Sequence, residues 1–468
     1  MTCLSSPPAP RISARRLAQI LSANRPGRTR IMEDCDDGMV RSQFEIDGDK
    51  IAFTDGFRAL ADKTQVHDRI THGSHHRNRL THSMEVSRVG RSLGTSVGTR
   101  LIAHCALHAD TSDTRPQTLD PREIGHVVAA AGLAHDLGNP PFGHGGEEVI
   151  SAFFSHAPDG TALTRLVSPA IAAELRHHEG NAQGFRMMTR AMGWRADGGI
   201  NLTSATLGAF SKYPYPYRPG AKKYGVHAAD MDTLRAVAQD TGMADDPVSG
   251  GFRRHPLAWL LEAADDICYL TVDLEDAAFL GLVPLEDFVA LYAPIVGADV
   301  VDQSRAMSPG ARIQYLRSRM IKALIGAVTA ASPDRAAEIE AGRLLRSAQG
   351  SSLLDRTPHA QALADLRDYS RDRIYLADTT RAARAASHAA LEAVMTHLAG
   401  ELHQRLLAGD ARPACPTRTP ALAALPLMVI DDTVPADPDV AVRWLLDRVT
   451  LMPDAQVIAL ARKLGGAP

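Results

Sequence analysis

At 468 residues, the chain is long enough to bury a large hydrophobic core, and its length suggests about two to four domains. The formal net charge is −3 and the pI is near 6.7, so the composition excludes a chain that is basic throughout and binds nucleic acids or anionic membranes by charge alone. No apolar run is long enough to span a membrane.

Five cysteines are scattered along the chain without a Cys-x-x-Cys pair. This argues against a disulfide framework and against a cysteine-based zinc site, and it fits a reducing cytoplasm. The first thirty residues contain six arginines, several prolines and serines, and no acid. We therefore predict a disordered basic tail over residues 1–35, with an organellar address as the alternative that this composition leaves open.

The first long helix is predicted over roughly residues 81–108, where apolar residues recur at helical intervals from Val86 to Leu101. His82 falls on that apolar face, four residues before Val86, so we expect its imidazole to point inward. Residues 67–77, just before it, are rich in His and Arg. Their spacing matches no standard zinc finger, and a solvated loop is the simplest interpretation.

A compact segment, Gly132–Glu147, combines His, Asp and Glu with glycine and proline. Asp120 and Pro121 predict the start of a helix whose apolar stripe continues to His135, so His135 should point inward with Asp136 beside it. Gly138 and the following prolines should stop that helix. A second helix should begin near His144, with free backbone N–H groups at its start.

Downstream, the sequence predicts a helix that ends at Gly180 and a proline-rich loop over residues 212–223. A mobile loop is expected over residues 240–251. In the helix that follows, Asp265 lies eight residues after Leu257 and should face inward, where a buried carboxylate needs a cation or base nearby. Tyr269 and Asp273 extend the same polar stripe.

After Pro284 the chain stays helical in pattern to about residue 408. A proline-rich break follows over residues 412–426, and a last helical pair surrounds residues 444–448 and 456–464. Period-two stretches are almost absent, so the predicted fold class is all-α.

His82, His135, Asp136 and Asp265 are four inward ligand-type residues on three predicted helices. Two imidazoles and two carboxylates suit a borderline-to-hard divalent ion with open positions for water. Mg²⁺, Mn²⁺, Fe²⁺ and Co²⁺ all fit that description.

In this order the four residues resemble the pattern of the HD-domain phosphohydrolase superfamily, His…His-Asp…Asp. The chain is more closely similar to the deoxyguanosinetriphosphate triphosphohydrolase (dNTP triphosphohydrolase) family over roughly residues 41–282. Six ordered blocks carry that resemblance: Ala61–Val66, Arg79–Val86, Gly132–Glu147, His177–Gln183, Lys212–Pro214 and His255–Tyr269.

The resemblance implies an HD-domain helical bundle with an additional helical C-terminal lobe. The tail at 1–35 would precede a phosphohydrolase core at 36–285, and residues 286–468 would complete the nucleotide pocket and form oligomer contacts. The implied reaction splits a deoxynucleoside triphosphate into deoxynucleoside and inorganic triphosphate.

The same resemblance implies roles for individual residues. His82, His135, Asp136 and Asp265 would hold the metal, with Mg²⁺ or Mn²⁺ preferred. His144 would be the catalytic histidine at the attacking or leaving oxygen, with Glu147 orienting it. The implied substrate-binding residues are Gln65, Val66, Lys212, Lys223, Tyr269 and Asp273. Expected partners are a dNTP, further copies of the chain, and a nucleotide or single-stranded DNA effector, in the cytoplasm and without a membrane.

Three alternatives remain open at this stage. The chain could be another HD phosphohydrolase that acts on a monophosphate or an alarmone, a nucleotide sensor without catalysis, or a protein that acts on or binds nucleic acid. Product analysis separates the first from our interpretation. A steep salt dependence of binding would favour the third.

Overall fold

A computed structural model describes residues 12–26, 41–65, 77–106, 119–193, 199–332, 338–339, 352–375, 378–408 and 434–465. Three features of the sequence lie outside the described residues: Val66, the His-rich insert up to residue 76, and the proline-rich stretch 412–426.

Helices dominate the described residues and confirm the all-α prediction. The helices up to residue 186 are α1 (Ala14–Ile20), α2 (Gln43–Ala52), α3 (Asp55–Ala59), α4 (Arg79–Ala106), α5 (Pro121–Ala134), α6 (His144–His156), α7 (Pro158–Thr164), α8 (Pro169–Leu175) and α9 (Gly180–Arg186).

The later helices are α10 (Ser204–Phe210), α11 (Met231–Thr241), α12 (Pro256–Phe279), α13 (Leu285–Val296), α14 (Ala298–Gln303), α15 (Pro309–Ala331), α16 (Ala360–Ser370), α17 (Asp378–Ala408), α18 (Pro438–Leu451) and α19 (Asp454–Lys463). The stretch expected to be a mobile loop holds a short antiparallel pair, β1 (Asp245–Asp246) and β2 (Gly251–Phe252). None of the described helices combines the length and apolar character needed to cross a membrane.

Local sequence signals place the helices that carry the candidate site. The Asp120 carboxylate accepts the backbone N–H of Arg122 at 2.9 Å, which caps the start of α5 as the sequence predicts. Helix α6 begins at His144, also as expected. One predicted boundary is wrong. The helix that was expected to end at Gly180 ends at Leu175. Gly180 is instead the first residue of α9, because the Glu179 side chain caps the start of α9.

Helices α4 and α5 cross closely because small residues meet at the crossing. A Cβ at Gly94 would lie 2.9 Å from the Cα of Gly125, which leaves no room for a side chain. Helix α12 packs against both α4 and α5. This three-helix arrangement brings the start of α4, the end of α5 and the middle of α12 to one place.

The described residues form two hydrophobic cores. The first joins α4, α5 and α12 with α1 and α15, and the second joins α6–α8 with α17–α19. In the second core, Phe153 and Phe154 of α6 belong to the same cluster as Leu391 of α17 and Leu445 of α18. Both cores therefore combine residues from before and after residue 285.

The prediction of a disordered tail is wrong for residues 12–26. Leu17 and Ile20 of α1 are buried in the first core, and the guanidinium of Arg16 donates to the carbonyls of Thr241 at 2.9 Å and Ile339 at 3.2 Å. The arginine content suggested a solvated segment, but the apolar face of α1 packs inward and its Arg16 caps backbone carbonyls.

Candidate active site

Three ligand-type side chains from three helices converge at the end of α5. His82 Nε2 lies 3.1 Å from Asp265 Oδ1, and His135 Nε2 lies 3.7 Å from the same oxygen. One donor atom from each residue lies within 4.8 Å of the others. The helical faces predicted for His82, His135 and Asp265 therefore bring these side chains together.

The orientation and charge of these groups fit a divalent cation. The Nδ1 of His135 bonds to the carbonyl of Gly132 at 2.8 Å, which leaves Nε2 facing Asp265. Burial opposes ionisation of Asp265, but the neighbouring His135 and His82 hold its pKa well below the usual range. An ionised carboxylate between two imidazoles is the donor set that a borderline-to-hard ion prefers.

The pKa of His82 is likewise set by two opposing effects, burial and the nearby Asp265 carboxylate. Burial lowers its pKa, but the hydrogen bond to Asp265 and the charge of that carboxylate outweigh this effect and raise the pKa to about 9. Its Nδ1 is buried and has no hydrogen-bond partner in the part of the chain that the structure describes. A cation at Nε2 would displace the proton that Asp265 now attracts.

Asp136, the fourth predicted ligand, lies at the edge of this cluster. Its Oδ2 accepts from Arg79 at 2.9 Å and lies 3.7 Å from His135 Nε2, and its Oδ1 accepts from Asn139. The Asp136 carboxylate therefore already accepts hydrogen bonds from the Arg79 guanidinium and from the Asn139 side-chain amide. Burial raises its pKa, but Arg79 and the two histidines bring it below the usual value.

His144 and Glu147 form a second pair at the first turn of α6. His144 Nδ1 lies 2.9 Å from Glu147 Oε2, while Glu147 Oε1 accepts the N–H of Gly180 at 2.8 Å. The hydrogen bond that His144 Nδ1 donates to Glu147 raises the pKa of His144. Burial opposes ionisation of Glu147, but the bond from His144 lowers its pKa to about 2. The imidazole is 77% exposed, so its Nε2 side is open to a substrate.

The turn before His144 is conformationally restricted. Phe142 and Gly143 have φ values of 64° and 59°, a region that costs a non-glycine residue about 1–3 kcal/mol. A side chain at Gly143 would collide with the guanidinium of Arg79. Arg79 therefore adjoins both Asp136 and the turn that precedes His144, which links the two clusters into one site.

Both predicted phosphate-binding lysines lie close to these clusters. Lys212 Nζ lies 3.0 Å from Glu262, and Asp265 is among the charges that raise the pKa of Lys212. Lys223 Nζ lies 2.8 Å from Glu179 and 3.7 Å from Glu147. Each lysine thus lies beside one of the two clusters and has a carboxylate partner.

The predicted sugar-facing residues of α12 meet a residue that the sequence did not indicate. Tyr375 stacks on Tyr269, with 5.3 Å between ring centroids, and its hydroxyl donates to Asp273 Oδ2 at 2.8 Å. Burial raises the pKa of Asp273 to about 7. The Oε1 of Gln65 is buried and has no hydrogen-bond partner among the described residues.

Two residues of the site were missed by sequence reasoning. Arg79 lies three residues before His82 on the same helix, so its helical spacing would have placed it near the ligands. Tyr375 is far downstream in a short π-helical segment, Arg371–Tyr375, and no periodic pattern marks it.

The chain is similar in sequence to known proteins. Residues 79–193 match the family described as the HD domain. The chain is 39% identical over 320 residues to a deoxyguanosinetriphosphate triphosphohydrolase-like protein of Pseudomonas aeruginosa, which covers 66% of this chain and 69% of that protein. It is 38% identical over 343 residues to a protein of the same description from Synechocystis, which covers 70% and 74% of the two chains. A deoxyguanosinetriphosphate triphosphohydrolase of Yersinia enterocolitica is 32% identical over 55% of this chain and 54% of its own length.

Proposed function

Because the chain belongs to the deoxyguanosinetriphosphate triphosphohydrolase-like family, we propose that it is a metal-dependent hydrolase of deoxynucleoside triphosphates. The products are the deoxynucleoside and inorganic triphosphate. The observation that carries this proposal is the position of Arg79, which adjoins the ligand cluster at Asp136 and the turn before His144. A cation site and an acid–base pair side by side are what hydrolysis at a phosphorus atom needs.

His82, His135, Asp136 and Asp265 would hold the divalent ion, and Mg²⁺ or Mn²⁺ fit this mixture of imidazole and carboxylate donors, with Fe²⁺ and Co²⁺ as further candidates. When bound, the ion supplies Lewis-acid polarisation of an α-phosphoryl oxygen and makes a solvent molecule more acidic. The proximity of the donor atoms of His82, His135 and Asp265 supports this assignment.

His144 would act at the leaving oxygen. A water oxygen bonds to the α-phosphorus and gives up a proton to the solvent, the bond from that phosphorus to the 5′ oxygen breaks, and the proton on His144 Nε2 passes to the 5′ oxygen. The raised pKa of His144 supports the acid role, because it keeps the imidazole protonated at higher pH. Glu147 fixes the ring through Nδ1 and is itself held by Gly180.

Triphosphate carries about four negative charges near neutral pH, so binding needs cations besides the ion. Lys212 and Lys223 would supply them and would exchange their contacts with Glu262 and Glu179 for phosphate oxygens. Arg79 is a third cation beside the same site.

The deoxyribose would lie against Gln65, Val66, Tyr269 and Asp273. Asp273 would accept from the 3′ hydroxyl, and a close fit of Tyr269 against C2′ would exclude a 2′ hydroxyl. The exposed face of Tyr269, at 37% accessibility, supports contact with a ligand. The substitution Tyr269→Ala tests this selectivity: GTP hydrolysis should increase relative to dGTP hydrolysis, and unchanged rejection of GTP would contradict it.

One experiment tests the proposed reaction as a whole. Purified protein is incubated with each of the four dNTPs and Mg²⁺ or Mn²⁺, and the products are separated by ion-exchange chromatography. Release of inorganic triphosphate and deoxynucleoside supports the proposal. Release of monophosphate or pyrophosphate would assign the chain a different phosphohydrolase reaction.

The enzyme's location, assembly and regulation can be proposed as well. Family resemblance suggests a cytoplasmic homo-oligomer that a nucleotide or single-stranded DNA regulates. Light scattering of the purified protein, with and without dNTP, measures the assembly state. Initial rates with a second dNTP or with a DNA oligonucleotide measure the regulation.

A further inference from the structure

The turn between α18 and α19 reaches into the active site from the C-terminal end of the chain. The carboxylate of Asp454 accepts two backbone N–H groups, from Thr64 at 2.8 Å and from Phe142 at 2.9 Å. Thr64 directly precedes the predicted sugar-binding residue Gln65, and Phe142 lies two residues before His144. One buried side chain therefore connects the two segments that carry these residues.

Lys63 reinforces the same connection. Its buried Nζ donates to the carbonyl of Asn139 at 2.7 Å and to the carbonyl of Thr450. Burial lowers the pKa of Lys63 to about 7, and a neutral amine still offers the two N–H groups that these two carbonyls need. Asn139 in turn donates to Asp136, so the connection extends to a proposed metal ligand.

The contact at Phe142 matters because of the backbone there. Phe142 and Gly143 both have positive φ, which L-residues with side chains avoid. Such conformations persist when the surrounding structure restrains them. The hydrogen bond from Phe142 N–H to Asp454 is a restraint of that kind, and it acts directly on the turn that leads into α6.

We propose that Asp454 is a positioning residue, which holds the turn at 139–143 so that His144 faces the reacting phosphate. The α18–α19 turn then contributes to the geometry of the active site. This inference rests on the proposed function, since it assigns Asp454 a role in that reaction.

The test compares Asp454→Ala with Asp439→Ala. Asp439 is a matched control because it belongs to the same C-terminal helices and also accepts a backbone N–H, from Ser168 at 2.7 Å, but it does not contact the turn at 139–143. Asp454→Ala should lower kcat for dNTP hydrolysis at least tenfold and should speed hydrogen–deuterium exchange in peptides that cover 139–146. Asp439→Ala should change neither quantity.

Asp454→Asn gives a second variant that keeps the shape and one acceptor oxygen, so its kcat should fall between those of the wild type and Asp454→Ala. A double-mutant cycle with His144→Ala then separates positioning from general destabilisation. In the His144→Ala background, Asp454→Ala should cost less than twofold further, since the residue it positions is gone.

The inference is overturned if the tenfold loss persists in the His144→Ala background, or if Asp439→Ala loses as much activity at an equal fall in Tm. If the wild-type protein releases no triphosphate from any dNTP, the proposed function fails instead. The exchange measurement then still decides whether Asp454 restrains the turn, because it needs no substrate.

Discussion

The ring of Tyr375 lies flat on the ring of Tyr269, with 9° between their planes, and its hydroxyl bonds to Asp273. Tyr269 and Asp273 are four residues apart on α12, whereas Tyr375 follows α16, more than a hundred residues later. A residue from beyond α12 therefore covers the part of the helix that we assign to the sugar.

Tyr375→Phe should raise KM for dNTPs about tenfold with a smaller change in kcat. The stacked ring remains, but Asp273 loses a hydrogen bond, which contributes about 0.5–1.5 kcal/mol, and about 1.4 kcal/mol corresponds to a tenfold change in affinity. Tyr369→Phe is the control, because the Tyr369 hydroxyl also donates to a carboxylate, Asp287 Oδ2 at 2.8 Å, away from the site. Equal KM values in the two variants would contradict the role of Tyr375.

Glu147→Gln should lower kcat about a hundredfold and move the high-pH limb of the kcat profile to lower pH. The sign follows from the acid role: activity is lost as pH rises through the pKa of His144, and Glu147 raises that pKa. Glu148→Gln, at the exposed neighbouring position, should keep the wild-type profile. A limb that stays in place in Glu147→Gln would mean that another group titrates.

Asp265→Asn should bind Mn²⁺ at least a hundredfold more weakly than the wild type, as measured by isothermal titration calorimetry. The reason is that both imidazoles approach the same oxygen of Asp265, so this carboxylate is central to the cluster. Asp266→Asn changes the next carboxylate along α12, which is rotated away by about 100°, and should retain Mn²⁺. Similar affinities for the two variants would argue against the assigned centre.

Acid should destabilise the fold through His255, the buried cap of α12. Its Nδ1 accepts the N–H of Leu257 at 3.2 Å, its Nε2 lies 3.1 Å from the carbonyl of Ile20, and burial lowers its pKa to about 3. As pH falls, the unfolded chain therefore binds a proton at this histidine at a higher pH than the folded chain does. The free energy of unfolding then decreases from pH 6.5 towards pH 3, by up to about 1.4 kcal/mol per pH unit.

Chemical denaturation between pH 7 and pH 4 measures this effect. His255→Asn removes the titrating ring and should flatten the dependence of unfolding free energy on pH, although its stability at pH 7 is lower. His156→Asn, at an exposed position in the last turn of α6, should keep the wild-type slope. Equal slopes in all three proteins would exclude His255 as the acid-sensitive group.

Two glycine substitutions should change stability in opposite directions. At Gly138 a methyl group would collide with the backbone of Gly180 and Gly184, so Gly138→Ala should destabilise the protein by about 1–3 kcal/mol. Gly326 is exposed within α15, and no side chain or remote backbone of the described residues lies within 4 Å of an added methyl group, so Gly326→Ala should stabilise the helix by about 0.5–1 kcal/mol. Thermal unfolding of both variants gives the comparison, and a loss of stability at Gly326 would contradict the helix-propensity argument.

Much of the site follows from local rules. The faces of His82 and Asp265 come from the helical repeat of apolar residues around them, and the start of α5 comes from the Asp120 cap. These features depend only on neighbours in the chain. The all-α fold class and the start of α6 at His144 can be predicted from the sequence for the same reason.

Local sequence patterns were therefore enough to predict the all-α fold class, the inward faces of the ligand-type residues and the order of the motifs, but not α1 or the boundary between α8 and α9. Three contacts could be found only from the packing of remote segments: Arg79 with Asp136, Tyr375 with Tyr269, and Asp454 with the turn at Phe142. The physical reason is distance along the chain: periodicity reports which face of a helix is buried, but not which remote segment packs against that face. Asp454 and Phe142 are 312 residues apart, and their contact exists because two cores bring the ends of the chain together.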